Sequence, residues 1–483
     1  MVLAQSPSAA VRSRLGHPVV DSDGHVREFL PAALPFLREH LSAAAVERIR
    51  RSGTILDQAL APLTAEQRRD ARVPQVAWWA QPSRNMRDRA TSAIPRLMYE
   101  RLDEMGLDYA VLYPTNGFGI AGIEDEDMRR GVCRGFNDFF AQVYGPYADR
   151  MTVAGVIPMH TPEEALDELD HCAHIGLKVV SIPQEVVRPI PAPMLDTPWL
   201  WPGQTHYADT FGLDSPYDYD PVWQRFADLG YAVNCHGALT LSPRAFSSPS
   251  NFAYNHQGAF AAMKLALCKS LYLGGVTRRF PQLPFAFLEC GVTWACTLLA
   301  NIVEIWEKRS LDGLDATDPR HVSVTEFERS MREWGPELLA GIDDSELEGA
   351  LRGHFRSGPV PEQKDDYAAM LIESNQDLRD LFVPSFFFGC EGDDRTVAFA
   401  FSPANAFGAR LQPVLSSDIS HWDVRDMNAV VAEAHHLVEQ GLLSDEDFRD
   451  FAFVNPVRLY TRANPSFFDG TPLESEARAV MAS

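Results

Sequence analysis

The chain has 483 residues, enough for one large domain or two ordinary ones, and its 46% hydrophobic and 23% charged residues are those of a folded globular protein. A formal net charge of −23 repels phosphate backbones and argues against nucleic acid as a partner, and no apolar run is long enough to suggest a membrane span. Seven scattered cysteines form no C-x-x-C pair, which argues against a zinc–thiolate site and for a reducing, cytoplasmic setting.

Met1–Gly16 is rich in Ala and Ser without a continuous apolar stretch, so residues 1–16 are expected to be a flexible tail rather than a signal peptide. From residue 17 to 483 a single domain is expected, because short apolar runs alternate with helical segments throughout. The first strand, Pro18–Asp21, runs into Ser22-Asp23-Gly24-His25. A long excursion from Glu28 to Gly106 follows, with an amphipathic helix near Ala32–Arg51 and the pair Trp78-Trp79. Tyr109–Tyr113 and Met151–Pro158 read as the second and third strands. Thr161-Pro162-Glu163-Glu164 then opens a helix, with Thr as N-cap, Pro at the first helical position and Glu three residues after the cap.

Leu177–Ile182 is the fourth strand. Arg188–Asp220, rich in Pro, Trp and Tyr, reads as a long binding loop. Tyr231–Cys235 is the fifth strand, ending in His236, and Pro284–Leu288 the sixth, ending in Glu289. Helices are expected at Pro221–Gly230, Gly258–Tyr272 and Trp294–Lys308. Residues 310–383 read as a charged helical insertion and a candidate homodimer surface. Phe386–Phe388 leads to Cys390-Glu391 as the seventh strand, and Pro413–Leu415 to Ser416-Ser417-Asp418 as the eighth. Asp423–Gln440 and Ser444–Phe451 read as closing helices.

Eight strands alternating with helices predict an α/β fold, a (β/α)8 barrel whose chemistry sits at the C-terminal strand ends. Asp23, His25, His236, Glu289 and Asp418 all fall at such ends. Asp23 and His25 are one residue apart, so an extended backbone turns both to one side. Alone, this D-x-H is equally a turn-capping Asp and a buried, hydrogen-bonded His. Its weight comes from the later strand ends that also stop at metal-ligand residue types. His256 and His421 are further candidates, as ligands or as supports to ligands. Asp418 and His421 are candidates for proton transfer. Glu185 and Glu391 read as structural or solvated. Two imidazoles with three carboxylates suit iron or manganese better than zinc and favour iron oxygenase chemistry, although the same set could hold two Mn²⁺ or Mg²⁺ ions and generate hydroxide for hydrolysis. Lys178 stands at the start of the fourth strand, not at its mouth, so a bridge between two metals falls to a carboxylate, first of all Glu289.

Val20-Asp21-Ser22-Asp23-Gly24-His25, Asn234-Cys235-His236, Arg279-Phe280-Pro281-Gln282-Leu283-Pro284-Phe285 running to Glu289, and Ser417-Asp418-Ile419-Ser420-His421 resemble, in order, the amidohydrolase-2 group of the amidohydrolase superfamily. The resemblance implies an amidohydrolase-like barrel and a metal-dependent hydrolase or non-oxidative decarboxylase using zinc or manganese. That group usually carries H-x-H on the first strand and His on the sixth, where this chain has Asp23 and Glu289. With Trp78-Trp79, Asp88-Arg89-Ala90-Thr91, Gly389-Cys390-Glu391, Asp418–Asp423 and Asn464-Pro465-Ser466-Phe467-Phe468, the chain is similar to the TIM-barrel non-heme di-iron monooxygenases. That branch includes the diterpenoid hydroxylases of platensimycin- and platencin-type antibiotic biosynthesis. The likeness implies two iron ions per chain, O2 as co-substrate, an external electron donor, and hydroxylation of a bulky apolar substrate, a diterpenoid or another coenzyme A thioester. Trp78, Trp79, Arg89 and Trp201 are the substrate-lining candidates.

Overall fold

The computed structural model describes residues 5–52, 63–75, 84–117, 119, 123–190, 206–237, 248–355, 362 and 364–483. Trp78, Trp79 and Trp201 lie outside the described residues. Eight parallel strands follow one another around a barrel: β1 Val20–Val26, β2 Tyr109–Pro114, β3 Met151–Val153 with its continuation Gly155–Val156, β4 Val180–Ile182, β5 Val233–Cys235, β6 Phe285–Phe287, β7 Phe386–Glu391 and β8 Gln412–Ser416. Each pairs with the next. The barrel closes where His25 N–H donates to Ile419 O and Asp418 N–H donates to Asp23 O, each at 2.9 Å. This is the (β/α)8 barrel expected from the strand pattern.

Side-chain alternation sorts the strands into two cores. Tyr109, Val111 and Tyr113 of β2 point inward with Val20, Ala286, Phe387 and Val414. Ala110, Leu112, Phe285, Phe287, Phe386 and Phe388 point outward against the helices. Cys235 and Cys390 belong to that outer core. The barrel floor is plugged by the C-terminal segment, where Val457, Tyr460, Phe467 and Phe468 join the inner core and Tyr460 stacks on Phe467 at 4.6 Å. Lys178 donates to Phe467 O at 3.4 Å, on the floor side and away from the mouth.

Several boundaries differ from the sequence expectation. Pro7–Arg12 is a helix rather than a flexible tail. Ser6 caps it, Ser8 accepts the backbone N–H of Val431, and Arg12 pairs with Asp108 at 2.5 Å, so the segment is anchored at several points. The helix expected over Ala32–Arg51 is two, Leu30–His40 and Ala43–Ser52. Within Arg188–Asp220, Val186–Pro189 and His206–Asp209 pair as an antiparallel ribbon. The last long helix begins at Val430 rather than Asp423. In the insertion, the helix Val324–Trp334 buries none of its residues, and Trp334 is 79% exposed.

The excursion after β1 is tied back to the barrel mouth. Arg101, buried on the helix Pro95–Met105, pairs with buried Asp88 at 2.8 Å and donates to Asn428 at 3.0 Å. Asp88 in turn accepts the Met427 N–H at 2.9 Å. These bonds fix the chain that runs on from the end of β8.

Candidate metal centre

The centre starts from a fault in β1. Asp21 pairs with Ala110 and Gly24 with Leu112, so one strand spends an extra residue between two rungs. Such a bulge reverses the phase of alternation. Val20 points into the barrel, and beyond the bulge Asp23 and His25 do so as well. Asp21 holds the bulge by accepting the Ser417 N–H at 2.9 Å and the Ser417 hydroxyl at 2.5 Å. Gly24 is required here, because a Cβ would stand 2.8 Å from Asp21 Oδ2 and from Leu112 Cδ2.

Glu289 and Asp418 reach the mouth by a second device. Leu288 already points inward, so alternation would send Glu289 outward. Instead Glu289 has φ +53° and Asp418 φ +52°, both in the left-handed region. For residues other than Gly this costs on the order of 1–3 kcal/mol each, and such strain concentrates at functional sites.

The side chains meet in one group, buried at Asp23, His25, His236 and Asp418 and part-exposed at Glu289, His421 and Asp423. His236 Nε2 lies 3.1 Å from Asp23 Oδ1 and 3.4 Å from Glu289 Oε2. His25 Nε2 lies 3.1 Å from Asp418 Oδ1 and 3.6 Å from Asp23 Oδ1. His421 Nδ1 lies 2.6 Å from Asp418 Oδ1 and 4.0 Å from Glu289 Oε1. Within this group, three sets of donor atoms each fall within 4.8 Å of one another: Asp23, His25 and His236; His25, Glu289 and His421; Asp418, His421 and Asp423. The rings are fixed by packing: His25 stacks on His421 at 3.6 Å and meets His236 edge-on, and Tyr113 stacks on His236 at 5.2 Å.

Burial dominates the electrostatics. It pushes the Asp23 carboxyl up to about 7, against the pull of Lys264 and His421. Burial, and then Asp418, raises Glu289 well above the usual carboxylate range. Burial, and then Asp423, does the same to Asp418. His25 and His236 are driven well down, also by burial, so both imidazoles are neutral with a lone pair to give.

A family model described as Amidohydrolase matches residues 76–320, just over half of the chain. The chain belongs to the amidohydrolase family.

Among solved structures, this amidohydrolase is similar to an amidohydrolase from Mycobacterium avium subsp. paratuberculosis K-10, with 15% identity, a TM-score of 0.55, and 92% of this chain and 100% of that one covered. It is also similar to 2,6-dihydroxybenzoate decarboxylase from Rhizobium (15% identity, TM-score 0.47, 92% and 99% covered). A third is the dihydroxybenzoic acid decarboxylase from Polaromonas sp. JS666 with bound manganese and 2-nitroresorcinol (14% identity, TM-score 0.48, 94% and 99% covered). At these identities the likeness is one of fold. A search of curated protein sequences finds no significant match.

The donor set of this amidohydrolase fits a divalent metal. A neutral imidazole offers its lone pair to a cation, and a carboxyl gives up its proton to bind one. Donor separations of 3.1 and 3.4 Å suit neighbouring ligands on bonds of about 2.0–2.2 Å. Asp23, His25, His236, Glu289, Asp418 and His421 are the residues brought together. His256 is not in the group. It sits in an aromatic cluster with Phe252, Phe260 and Trp422, at ring separations of 5.2 to 5.7 Å. Glu185 is buried outside the donor groups. Glu391 ends β7, its carboxyl raised to about 7 by burial and by Asp423. Arg89 is half-buried on the helix Met86–Thr91, near Arg27. Sequence reasoning missed Asp423, Tyr113, Asp21 and Lys264. Only Asp423, five residues after Asp418, carried a local signal.

Proposed function

We propose that this chain is an O2-dependent hydroxylase with two iron ions in the centre, acting on a C–H bond of a bulky apolar substrate. The observation that carries the reading is the placement of Glu289, whose Oε2 faces His236 and whose Oε1 faces His421. Its two oxygens thus address the two halves of the donor set, as a bridging carboxylate does. Asp23, His25 and His236 form one half; Asp418, His421 and Asp423 form the other. Anionic oxygen donors in this proportion favour iron or manganese over zinc. Iron held there would supply the electron transfer that reduction of O2 requires.

The chain's own residues supply the rest. His25 and His236, neutral and locked by ring packing, present fixed nitrogen donors. Asp418 Oδ1, 2.6 Å from His421 Nδ1, is the atom that holds or passes a proton where Asp418 serves as a base instead of a ligand. Phe252, His256, Phe260 and Trp422 make an apolar wall beside His421 that receives the substrate's hydrocarbon body and keeps water from it. A diterpenoid or other coenzyme A thioester is the substrate class that this reading adopts from the resemblance. Electrons come from an external donor.

A second reading, a hydrolase or non-oxidative decarboxylase using manganese or zinc, is favoured by the family match itself. Metal content of protein purified without added metal, followed by O2 uptake after reduction, separates the two. About two irons per chain with O2 uptake supports the hydroxylase. Stoichiometric manganese or zinc, no O2 uptake, and anaerobic turnover of esters or aromatic acids overturns it.

A further inference from the structure

Lys264 is one of five lysines in the chain, and it is completely buried. It lies on the helix Ala259–Leu273, which follows β5. Its ammonium donates to the backbone carbonyl of Leu288 and sits 5.0 Å over the Phe260 ring. Burying an ammonium is costly, and an apolar side chain would fill the same space without that cost. What the ammonium adds is a strong, charge-assisted hold on one carbonyl.

That carbonyl belongs to the peptide that builds the centre. The Leu288–Glu289 unit offers its C=O to Lys264. The next Cα carries Glu289 in its left-handed conformation. On the opposite side, β7 comes close enough that a Cβ on Gly389 would stand 2.9 Å from Leu288 Cα and 3.1 Å from Glu289 N. The peptide is therefore clamped between an ammonium and a glycine.

We infer that Lys264 is a positioning residue of the centre, fixing through one peptide the backbone that carries Glu289 in its left-handed conformation. The inference rests on the metal-centre reading above, and the test keeps the two apart. Mn²⁺ alone is titrated into the full metal-free chain in competition with a chelator, for the wild type and for Lys264→Met. Lys264→Met keeps the stem's packing and removes the ammonium. Manganese affinity is expected to fall by roughly 10- to 100-fold, the range seen when a group supporting a ligand is lost. The thermal midpoint of the metal-free chains is measured alongside. A lower midpoint with wild-type manganese affinity would mean a merely structural lysine and overturn the inference. Lys264→Leu, which replaces the stem by an apolar side chain, decides the matter if the methionine variant does not fold: unchanged affinity there overturns the inference as well. A wild type that binds no manganese and no iron overturns the metal-centre reading and this inference with it.

Discussion

His421 Nδ1 stands 2.6 Å from Oδ1 of Asp418, three residues earlier in the chain. The His421 ring is part-exposed, while His25, on which it stacks, is fully buried. The outer half of the donor set is therefore built from one short segment after β8. His421→Ala is expected to remove that half alone, taking metal content from about two ions per chain to about one. Because the ring is part-exposed, the thermal midpoint of the metal-free chain should change little. Elemental analysis and a melting curve check both.

The Asp23 carboxyl sits at about 7 when folded, through burial, and near the ordinary carboxylate value when unfolded. Between those values the folded chain binds the additional proton, so the contribution of Asp23 to the stability of the metal-free protein falls as pH rises through that window and is gone above about 7. Metal must displace the same proton. Apparent metal affinity is expected to rise as pH rises through that window. Asp23→Asn should remove this component of the pH dependence from the melting curves of the chelated protein. Asp21, also raised to about 7 by burial, contributes with the same sign.

Gly24→Ala introduces a Cβ at 2.8 Å from Asp21 Oδ2 and 2.9 Å from Ile419 Cγ1. Overpacking of this kind costs about 1–3 kcal/mol. Here the displaced atoms include the carboxylate that holds the bulge to Ser417, so metal binding should weaken together with stability. Chemical denaturation and metal titration of the same variant read the two effects.

Arg101 and Asp88 are a buried ion pair. Arg101→Ala leaves a buried carboxylate unpaired, and a loss of about 3–5 kcal/mol is expected from denaturant midpoints. Since Asp88 and Arg101 also hold Met427 and Asn428, the segment bearing His421 and Asp423 should gain hydrogen-exchange rate first.

Trp422 packs edge-on to both Phe252 and His256 beside His421. Trp422→Ala should raise the KM of an apolar substrate without lowering metal content. Equal loss of metal would place Trp422 in support of the centre instead.

The eight strands were legible because each is a short apolar run with one face turned to the barrel interior and the other to the helices, as in Tyr109–Tyr113. The donor residue types at the strand ends were legible for the same reason, since a strand that stops at Asp, His or Glu stops at the barrel mouth. The anchoring of Pro7–Arg12 was not, because Ser8 and Arg12 find their partners at Val431 and Asp108, far along the chain.

Sequence by itself determined the barrel and the kinds of side chain at its mouth. Only the tertiary structure decided how they face one another. A simple strand carries no sign of the bulge at Asp21–Gly24, which depends on Ser417 arriving from β8. Nor does it carry the left-handed turns at Glu289 and Asp418, or the ammonium of Lys264 against the Leu288 carbonyl. The physical reason is common to all three. Alternation is a local property of an extended backbone, whereas a bulge, a strained φ or a buried charge persists only where distant segments satisfy its hydrogen bonds.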